Sequence, residues 1–428
     1  MAMRPRDALP RHAGTVIVGG GAIGVSIARE LALRGVDVLL LERNRDLSSG
    51  ASAGTAGLIC PSHAETIASP QALRDGIRWM FDVTGPFALR PDPKLAPWLA
   101  RFTASAIAPG RAARSTALLR ELSTRALALH VELAKAVPTG LVQRGILNLY
   151  ASERDLEHGL AHAAEQRADG LAIEQLDGDS VRELEPTVRA VAGGTFAPDD
   201  AHLDSDQYTR SVAEAARDAG AQILTGVDVI AADESATAIE LTTTAGPLSA
   251  ERLVLAGGAW SARLARDLGV HLPLASAKGY HVEVEGATAP TRPVYLHGTR
   301  VVATPLPGRL RFAGTLELGS DPEVVDRRRA ESALAAGRAA LGGLADARVT
   351  SVWRGLRPCL PDGLPAIGRT EASDRVLIAT GHQMLGITLA PITAEVIGRL
   401  AADEEPGIDL AAVAPDRFRS LRQLARRR

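Results

Sequence analysis

Residues 15–43, "TVIVGGGAIGVSIARELALRGVDVLLLER", predict a strand, a tight turn, a helix and a second strand. Residues 15–18 form a β-branched run, and residues 22–34 place apolar side chains at helical spacing. Gly35 ends the helix, because glycine readily adopts the left-handed conformation that terminates helices. Residues 36–41 are almost continuously apolar, which is typical of a strand buried on both faces of a parallel sheet. This order indicates an α/β fold.

The turn between the first strand and the helix carries the pattern G-x-G-x-x-G, formed by Gly19, Gly21 and Gly24. Gly19 allows the tight turn, Gly21 lets a pyrophosphate approach the backbone, and Gly24 lets the helix pack against the strand. Glu42 ends the second strand, where a carboxylate can accept hydrogen bonds from both ribose hydroxyls and disfavours a 2′-phosphate. These residues predict an adenine-dinucleotide site, which FAD and NAD fit equally well.

The segment after Glu42 distinguishes an FAD site from an NAD site. An NAD-binding domain would continue at once with further strand–helix units, but residues 43–65, "RNRDLSSGASAGTAGLICPSHAE", are rich in small residues and show no such alternation. Strand and helix patterns recur only at residues 204–229, 250–269 and 374–403. We therefore expect a discontinuous Rossmann-like domain that binds FAD.

The expected division of the chain assigns residues 1–60, 196–268 and 352–428 to this FAD-binding domain. The other two blocks, residues 61–195 and 269–351, predict an α+β substrate or cap domain. The first block is expected to be mostly helical. The second alternates apolar and polar residues, which predicts an antiparallel or mixed sheet with one face against the cofactor. Residues 321–347 are charged and rich in alanine, and we expect a solvent-facing helix there.

Bulk composition excludes several functions. A chain of 428 residues is long for one core, and a net charge of −2 gives no basic field for nucleic acid. Two cysteines, Cys60 and Cys359, provide neither a disulfide framework nor a zinc site, so we expect no metal and a reducing, cytoplasmic location. The first 14 residues lack the apolar core of a secretory signal, and charges interrupt the apolar stretch 15–41.

Seven motifs occur in the order found in FAD-dependent oxidoreductases of the D-amino-acid oxidase type, and the resemblance covers nearly the whole chain. They are "TVIVGGGAIG", "LLLER", "SSGASAGTAGL", "TGVDV", "LVLAGGAWS", "WRGLRPCLPDGLPAIG" and "ATGHQMLGITLAP". Within that family the chain resembles most the bacterial D-amino-acid dehydrogenases, through "RWMFDVTGPFALRPD", "AKGYHVEV" and "LICP". The resemblance implies non-covalent FAD, hydride transfer from an amine-bearing carbon, and an imine that hydrolyses to a keto acid.

The resemblance also implies which positions contact the cofactor. Residues expected around the pyrophosphate, ribose and adenine are Gly19, Gly21, Ala22, Ile23, Gly24, Glu42, Arg43, Val227 and Gly257. Residues expected along the path to the flavin and around its ring are Ser52, Thr55, Ala56, Gly57, Leu58, Gly381, His382, Leu385, Gly386, Ile387 and Thr388. The helix after Gly386 is expected to direct its N-terminus at the pyrimidine edge, where reduced flavin carries negative charge.

Four side chains are candidates for substrate contact or catalysis. Arg357 lies in a rigid run of prolines and glycines, and its position in the family implies that it binds the substrate carboxylate; pairing with a surface acid such as Asp362 is the alternative. Tyr280 begins a strand expected to face the flavin, where it either borders the site or packs in the core. His382 lies in the flavin loop as a ring contact or a structural residue, and His63 is placed at the pocket entrance.

Two neighbouring residues are given no role in the chemistry. Arg354 is interpreted as an ordinary surface arginine. Cys359 is interpreted as a buried free thiol, because its spacing to Pro361 does not match that of the cysteines to which some related amine oxidases attach flavin.

The expected function is oxidative deamination of a small amino acid, either a D-amino acid or a cyclic imino acid such as D-hydroxyproline. Alternatives are a glycine or sarcosine-type amine oxidase, an FAD-bearing subunit of a heteromeric dehydrogenase complex, and an NAD-dependent dehydrogenase. The expected electron acceptor is oxygen, a quinone or a carrier protein. Residues 77–102 are a candidate contact with the inner face of a membrane, although buried cap helices explain this segment equally well. The basic tail 417–428 favours a solvated or frayed helix end, with contact to anionic lipid as the alternative.

Overall fold

The computed structural model of the chain describes residues 8–79 and 85–418. Part of the candidate membrane segment, residues 80–84, lies outside the described residues. The same holds for the basic tail from residue 419 onward and for the first seven residues of the N-terminal stretch.

The described residues form a mixed α/β structure. The helices are α1 Ala22–Leu33, α2 Pro70–Trp79, α3 Ala96–Ile107, α4 Arg111–Ala136, α5 Glu153–Ala168, α6 Gly178–Leu184, α7 Ser205–Asp218, α8 Ser261–Asp267, α9 Arg327–Ala340 and α10 Gly386–Ala401. The strands are β1 His12–Val18, β2 Val38–Glu42, β3 Leu58–Ile59, β4 Phe87–Leu89, β5 Ile146–Tyr150, β6 Glu174–Asp177, β7 Gly193–Ala197, β8 Ala201–His202, β9 Gln222–Thr225, β10 Val229–Glu234, β11 Ile239–Thr243, β12 Gly246–Leu255, β13 Ala275–Glu285, β14 Val294–Leu296, β15 Val301–Leu306, β16 Arg309–Leu318, β17 Arg348–Cys359, β18 Ala366–Arg369 and β19 Val376–Thr380.

The first sheet has eight strands drawn from three distant segments of the chain. Its parallel part runs in the order β19, β12, β1, β2, β9, with β18 antiparallel to β19 and the hairpin of β10 and β11 continuing from β12. The pattern predicted from residues 15–43 is confirmed, with β2 beginning two residues later than expected. This is the twisted parallel sheet of a Rossmann-like fold, built discontinuously.

The second sheet has nine strands in the order β17, β13, β16, β15, β14, β5, β7, β6, with β4 beside β16. Most pairs are antiparallel, but β14 runs parallel to β5 and β4 runs parallel to β16, so the sheet is mixed. The expected domain boundary at residue 352 lies inside β17, because this strand pairs with β13 as far as Cys359.

Helices cover the first sheet on one face, where α1 packs against both α7 and α10, and α4 packs behind α10. The opposite face is covered by α8 and by side chains of the β10–β11 hairpin. Both faces of the parallel strands are therefore buried, which accounts for the apolar runs in β1 and β2. The carboxyl ends of β1, β12 and β19 meet along one edge, where three glycine-containing turns follow them.

Both blocks of the cap domain contribute to the second sheet. The stretch 61–195 is mostly helical, as expected, through α2 to α6, and it also supplies β4 to β7 to that sheet. The helix expected to face solvent, α9, packs Ala330, Ala333 and Leu334 against the second sheet and buries Arg329. Its alanines are small enough to let helix and strands approach closely, and charged residues occupy the outer face.

A substitution at Gly24 tests how closely α1 packs on β1. A Cβ atom at this position would lie 1.9 Å from the carbonyl oxygen of Gly19, a backbone atom that cannot rotate away. Gly24→Ala is expected to lower stability by at least about 1–3 kcal/mol, the usual cost of overpacking, because the turn must shift. Gly298→Ala is the control, since a Cβ atom there meets nothing within 4 Å. Equal thermal midpoints for the two variants would contradict this packing argument.

Candidate active site

A large cavity of about 930 Å³ lies between the two sheets at the carboxyl ends of the parallel strands. Its volume is at the upper end of the roughly 300–1,000 Å³ usual for small-molecule pockets, so it has room for a large cofactor and a small substrate. It extends from Gly19 and Glu42 to Arg357 and His63. The structure therefore brings residues from both ends of the chain to one site.

At one end, the cavity meets the N-terminus of α1. This helix has no acidic residue in its first turn and no side-chain cap at Gly21, although the N–H of Ala22 donates to Ser52 Oγ at 2.9 Å. Helix N-termini attract anions through unpaired N–H groups and the helix dipole. A Cβ atom on Gly21 would lie 3.0 Å from Ser52 Oγ, so glycine keeps this approach open.

Glu42 is buried beside this helix end and is oriented by three hydrogen bonds. Its Oε2 accepts from the N–H of Gly20 at 2.7 Å, and its Oε1 accepts from the backbone N–H and side-chain amide of Asn44 at 2.9 and 2.6 Å. Both carboxylate oxygens are thus fixed at the cavity wall while retaining lone pairs for a diol.

The outer end of the cavity has an aromatic wall that the sequence alone did not indicate. The Arg43 guanidinium lies over the Trp260 ring, 3.8 Å from its centre. The N–H of Val227 donates to the carbonyl of Glu42 at 3.0 Å, so a backbone contact from Val227 to a base would use its carbonyl oxygen. Gly257 also borders this end.

The loop 54–58 passes through the middle of the cavity wall, and other parts of the chain hold its carbonyl groups. Side chains bond four of them, namely His281 to Gly54 at 3.0 Å, Arg311 to Thr55 at 2.7 Å, Thr304 to Ala56 at 2.8 Å and Thr388 to Leu58 at 2.9 Å. The backbone N–H of Leu203 bonds the fifth, on Gly57, at 2.8 Å. We call this arrangement the carbonyl clamp. It occupies the acceptors of the loop.

Three residues expected to contact the cofactor do not line the cavity. Gly24 packs α1 against the turn, Thr388 belongs to the carbonyl clamp, and Gly381 adopts a φ of 79° that turns the chain from β19 toward α10. The other expected cofactor residues all border the cavity. These three residues shape the wall without forming its surface.

The N-terminus of α10 also reaches the cavity. Its first turn has no acidic residue and its N-cap Leu385 offers no side-chain bond, while Gly386 and Ile387 line the cavity. His382 precedes this turn and lines the wall, with its Nε2 3.0 Å from Thr393 Oγ1. Burial lowers the pKa of His382 to about 3, so its imidazole is neutral at physiological pH.

Arg357 is half-buried on β17, and its open side faces the cavity. Its Nη1 donates to the carbonyl of Thr315 at 2.8 Å, and a Cβ atom on Gly279 would lie 2.1 Å from that same nitrogen. Burial lowers the pKa of Arg357, yet a guanidinium stays charged at neutral pH. Among the described residues, no carboxylate lies within ion-pair distance of Arg357; Asp362 is paired with Arg417 instead.

Tyr280 and His281 point to opposite faces of β13, as alternation requires. Tyr280 borders the cavity, but its hydroxyl donates to Glu317 Oε2 at 2.8 Å and its ring belongs to the core beneath α9. His281 Nδ1 donates to the carbonyl of Gly54, and its ring stacks on Trp353. Of the two roles expected for Tyr280, packing in the core is therefore the one that its hydroxyl takes. His281 holds loop 54–58 in place.

His63 lies in the cavity wall after a short 3-10 turn, Pro61–His63. Its Nε2 is 2.9 Å from Asn148 Oδ1 and its Nδ1 is 2.8 Å from Ser62 Oγ, while its ring contacts Tyr295 at 4.9 Å. Sequence reasoning missed Ser62, Asn148 and Tyr295. Alternation along β5 and β14 indicates half-buried strands, but it does not reveal which strands become neighbours.

The two cysteines differ in position. Cys60 borders the cavity, whereas Cys359 lies outside its lining, and burial raises the pKa of the Cys359 thiol to about 12. An un-ionised thiol away from the cavity gives no route to a covalent flavin.

Within residues 8–79 and 85–418, no cluster of His, Cys, Asp and Glu could hold a metal ion. Among the helices of the same ranges, none is both long and apolar enough to cross a membrane.

The donor set of the cavity fits FAD. Two uncapped helix N-termini, a fixed carboxylate and a loop with occupied carbonyl groups match a pyrophosphate, a ribose and a planar ring with polar edges. A side chain in place of Gly21 would narrow the space between the N-terminus of α1 and Ser52.

Comparisons with known proteins agree with this geometry. Residues 15–400 match a protein family described as FAD dependent oxidoreductase. The chain is 30% identical over 420 residues to the D-amino acid dehydrogenase of Cereibacter sphaeroides, covering 94% of this chain and 95% of that protein. It is 31% identical over 420 residues to the D-amino acid dehydrogenase of Rhizorhabdus wittichii, covering 94% and 99% of the two chains.

Solved structures show the same fold. Glycine oxidase from Geobacillus kaustophilus superposes with a TM-score of 0.78 at 26% identity, covering 96% of this chain and all of the other. L-proline dehydrogenase from P. horikoshii gives 0.73 at 20% identity, covering 96% and 98%, a likeness of fold alone. The chain belongs to the FAD-dependent oxidoreductase family, binds FAD and is an amino-acid oxidoreductase.

Proposed function

We propose that the enzyme catalyses oxidative deamination of a small neutral amino acid, either a D-amino acid or a cyclic imino acid such as D-hydroxyproline. The α-hydrogen leaves as hydride to flavin N5, and the resulting imine hydrolyses to a keto acid. The observation that carries this proposal is the Arg357 guanidinium, which faces the cavity without a carboxylate partner among the described residues. The relatives named D-amino acid dehydrogenase support the choice of substrate class.

Charge balance separates Arg357 from the other arginine at this end of the cavity. Arg300 lines the same wall, but Asp75 lies 3.8 Å from its Nη2 and Tyr295 also bonds it. Arg357 donates only to a neutral carbonyl, so an incoming carboxylate supplies the charge that it lacks. Arginine binds carboxylates through two parallel hydrogen bonds, which fixes the α-carbon as well as the charge.

The wall next to Arg357 suits an apolar side chain. It is formed by β4, α3 and the end of β16, whose cavity-lining residues are Phe87, Leu89, Trp98, Leu99, Phe102, Leu316 and Leu318. Such a wall gives space and apolar contact to a substrate side chain. The likeness to glycine oxidase favours glycine as a second candidate, because that protein covers the whole fold at 26% identity.

The residues of this chain divide the remaining tasks. The N-terminus of α1 and the wall from Ser52 to Leu58 would hold the pyrophosphate and the ring, and Glu42 would hold the ribose. FAD supplies the two-electron acceptor for the hydride. The N-terminus of α10 would stabilise negative charge on the pyrimidine edge of a bound flavin. Arg357 orients the substrate, and orientation alone accounts for much of the rate in such reactions.

The first experiment is anaerobic reduction of the purified, FAD-loaded enzyme by a panel of amino acids. D-proline, D-hydroxyproline and D-alanine are expected to bleach the flavin faster than glycine, sarcosine, D-aspartate or the L-enantiomers. A faster reaction with glycine or sarcosine would favour the glycine-oxidase alternative. Absence of bleaching by the purified chain with every amino acid would instead favour a subunit that needs its complex.

Reoxidation of the reduced enzyme identifies the electron acceptor. Oxygen, a soluble quinone and a carrier protein are the three classes that the proposal allows. Fast reoxidation by the quinone alone would support contact with the inner face of a membrane.

Arg357→Gln tests the carboxylate anchor. Loss of one partner of a buried, hydrogen-bonded charge pair costs about 2–5 kcal/mol, so KM is expected to rise on the order of 100-fold while FAD remains bound. Arg354→Gln is the matched control, because Arg354 lies on the opposite face of β17 and pairs with Glu323. Steady-state kinetics and flavin absorbance measure the two effects. Unchanged KM in Arg357→Gln would remove the anchor role.

Glu42→Gln tests the ribose contact. The amide keeps the size of the side chain but loses one acceptor and the negative charge, so FAD affinity is expected to fall by about 10-fold to 100-fold, equivalent to about one or two strong hydrogen bonds. Glu251→Gln, an exposed change on β12, is the control. Fluorescence titration of the apoprotein with FAD measures both affinities, and equal values would contradict this role.

A further inference from the structure

Helix α10 contains a proline, Pro391, in its second turn. In a regular helix, the N–H at this position would donate to the carbonyl of Ile387, four residues earlier. Proline has no N–H, so the Ile387 carbonyl loses its partner within the helix. Ile387 is 3% exposed, and a buried carbonyl without a donor lowers stability. This acceptor in the first turn of α10 therefore has to be satisfied from outside the helix.

His130 on α4 supplies a donor to this carbonyl. Its Nε2 lies 3.0 Å from the carbonyl oxygen of Ile387 and 3.1 Å from that of Thr388. Because both oxygens can only accept, Nε2 must carry the ring proton and share it between them. His130 does not line the cavity, so it holds the first turn of α10 without touching what the cavity binds.

The imidazole of His130 is fully buried and neutral. Burial lowers the pKa of His130 to about 4, although the bonds to the two carbonyls raise it. Its Nδ1 is buried without a hydrogen-bond partner among the described residues. A buried nitrogen without a partner lowers stability, which an apolar side chain of similar size would not do. What the imidazole adds beyond packing is therefore its Nε2–H donor.

Tyr208 lies beside His130 and provides a comparison for it. The two ring centres are 5.3 Å apart, and both side chains are fully buried. The Ser26 hydroxyl donates to the carbonyl of Ala22 at 2.7 Å, so the Tyr208 hydroxyl donates to Ser26 Oγ at 2.9 Å. Tyr208 thus bonds to α1, whereas His130 bonds to α10.

The bonds of His130 act on free N–H groups at the start of α10. The backbone N–H groups of Gly386, Ile387 and Thr388 have no hydrogen-bond partner among the described residues, and the first two of these residues line the cavity. The Ile387 carbonyl and the Thr388 N–H belong to one peptide group, so a donor on this carbonyl makes that N–H a stronger donor. The same bond closes the turn that Pro391 leaves open, which keeps these N–H groups aligned with the helix axis.

We propose that His130 is a positioning residue for the flavin: its N–H takes the place of the one that Pro391 lacks, and the first turn of α10 thereby stabilises the reduced, negatively charged form of FAD. This role rests on the part of the proposed function that places the N-terminus of α10 at the pyrimidine edge of the ring. A helix end that is aligned and polarised stabilises an anion more strongly than a frayed one. His130 then affects the midpoint potential of the flavin, whichever amino acid is oxidised.

The strength of one hydrogen bond sets the expected size of this effect. Loss of a hydrogen bond changes an equilibrium constant by about threefold to tenfold. The equilibrium here lies between the oxidised and reduced flavin in the protein, and a tenfold change in it is about 30 mV for two electrons. A variant without the His130 donor is therefore expected to have a midpoint potential about 15–30 mV more negative.

The first test measures the midpoint potential of the FAD-loaded enzyme against reference dyes under anaerobic conditions. His130→Phe removes the donor but keeps a ring, so the potential is expected to fall by about 15–30 mV. His130→Gln is expected to restore most of it, because its amide N–H can reach the place of Nε2. Tyr208→Phe is the control with an unchanged potential, because it removes a buried hydroxyl from the same cluster but no bond to α10. Equal potentials for the native enzyme and His130→Phe would overturn the proposal.

The second test removes the need for the His130 donor. Pro391→Ala returns an N–H that can donate to the Ile387 carbonyl from within α10. In this background, His130→Phe is expected to change the potential by only a small part of its effect in the native chain, a coupling that a double-mutant cycle measures. If His130 only filled space, His130→Phe would lower the thermal midpoint in both backgrounds and leave the potential unchanged in both. A potential shift of the same size in both backgrounds would contradict the link to Pro391.

The double variant decides the question if His130→Phe alone does not fold or bind FAD. Folding with a native potential would support the proposal, and failure to fold or a lower potential would overturn it. A chemical reductant supplies the electrons in these measurements, so they do not depend on the substrate. If no amino acid reduces the flavin but the potentials shift as expected, the proposed deamination fails and the role of His130 stands. If amino acids reduce the flavin and the potentials coincide, the role of His130 fails and the deamination stands.

Discussion

The carbonyl clamp on loop 54–58 is the constraint on which the site depends. Three of its side-chain donors come from the second sheet and one from α10, so the loop joins the two layers and fixes the cavity between them. Holding the loop in this way requires a buried charge, because Arg311 is 2% exposed and needs Glu283 as its counter-ion. With its acceptors occupied, a loop of small residues presents a surface of N–H groups and methyl groups to a planar ligand.

Local patterns predicted the parallel sheet of the first layer and the mixed sheet of the second, but not which strands of the second sheet become neighbours. Residues 15–43 specify β1, α1 and β2 because the glycine spacing and the apolar period belong to one contiguous segment. The orientation of Tyr280 depends on a register shift between β13 and β16 and on Glu317, 37 residues away. The contacts of His63 with Asn148 and Tyr295 gave no signal, since they depend on which strands become neighbours in the packed structure.

An arginine without a carboxylate partner distinguishes the substrate end of the cavity. Other buried ions are matched, as where Arg311 meets Glu283 or where Arg329 approaches Glu317. Among the described residues, Arg357 has no ionic partner, and its guanidinium borders the cavity. Leaving a buried charge unmatched lowers stability. Retaining such a charge at the cavity wall suits a substrate that brings a carboxylate.

The discontinuous first sheet also affects how the protein is made. Strand β1 pairs with β12, and β12 pairs with β19, so Val18 faces Leu255 and Leu255 faces Ile378. The N-terminal strand leaves the ribosome long before β12 and β19 exist, and pairing over such separations is slow. During synthesis, the apolar faces of β1 and β2 stay uncovered until nearly the whole chain has emerged. Newly made chains are therefore expected to depend on chaperones that shield an N-terminal segment rather than a C-terminal one.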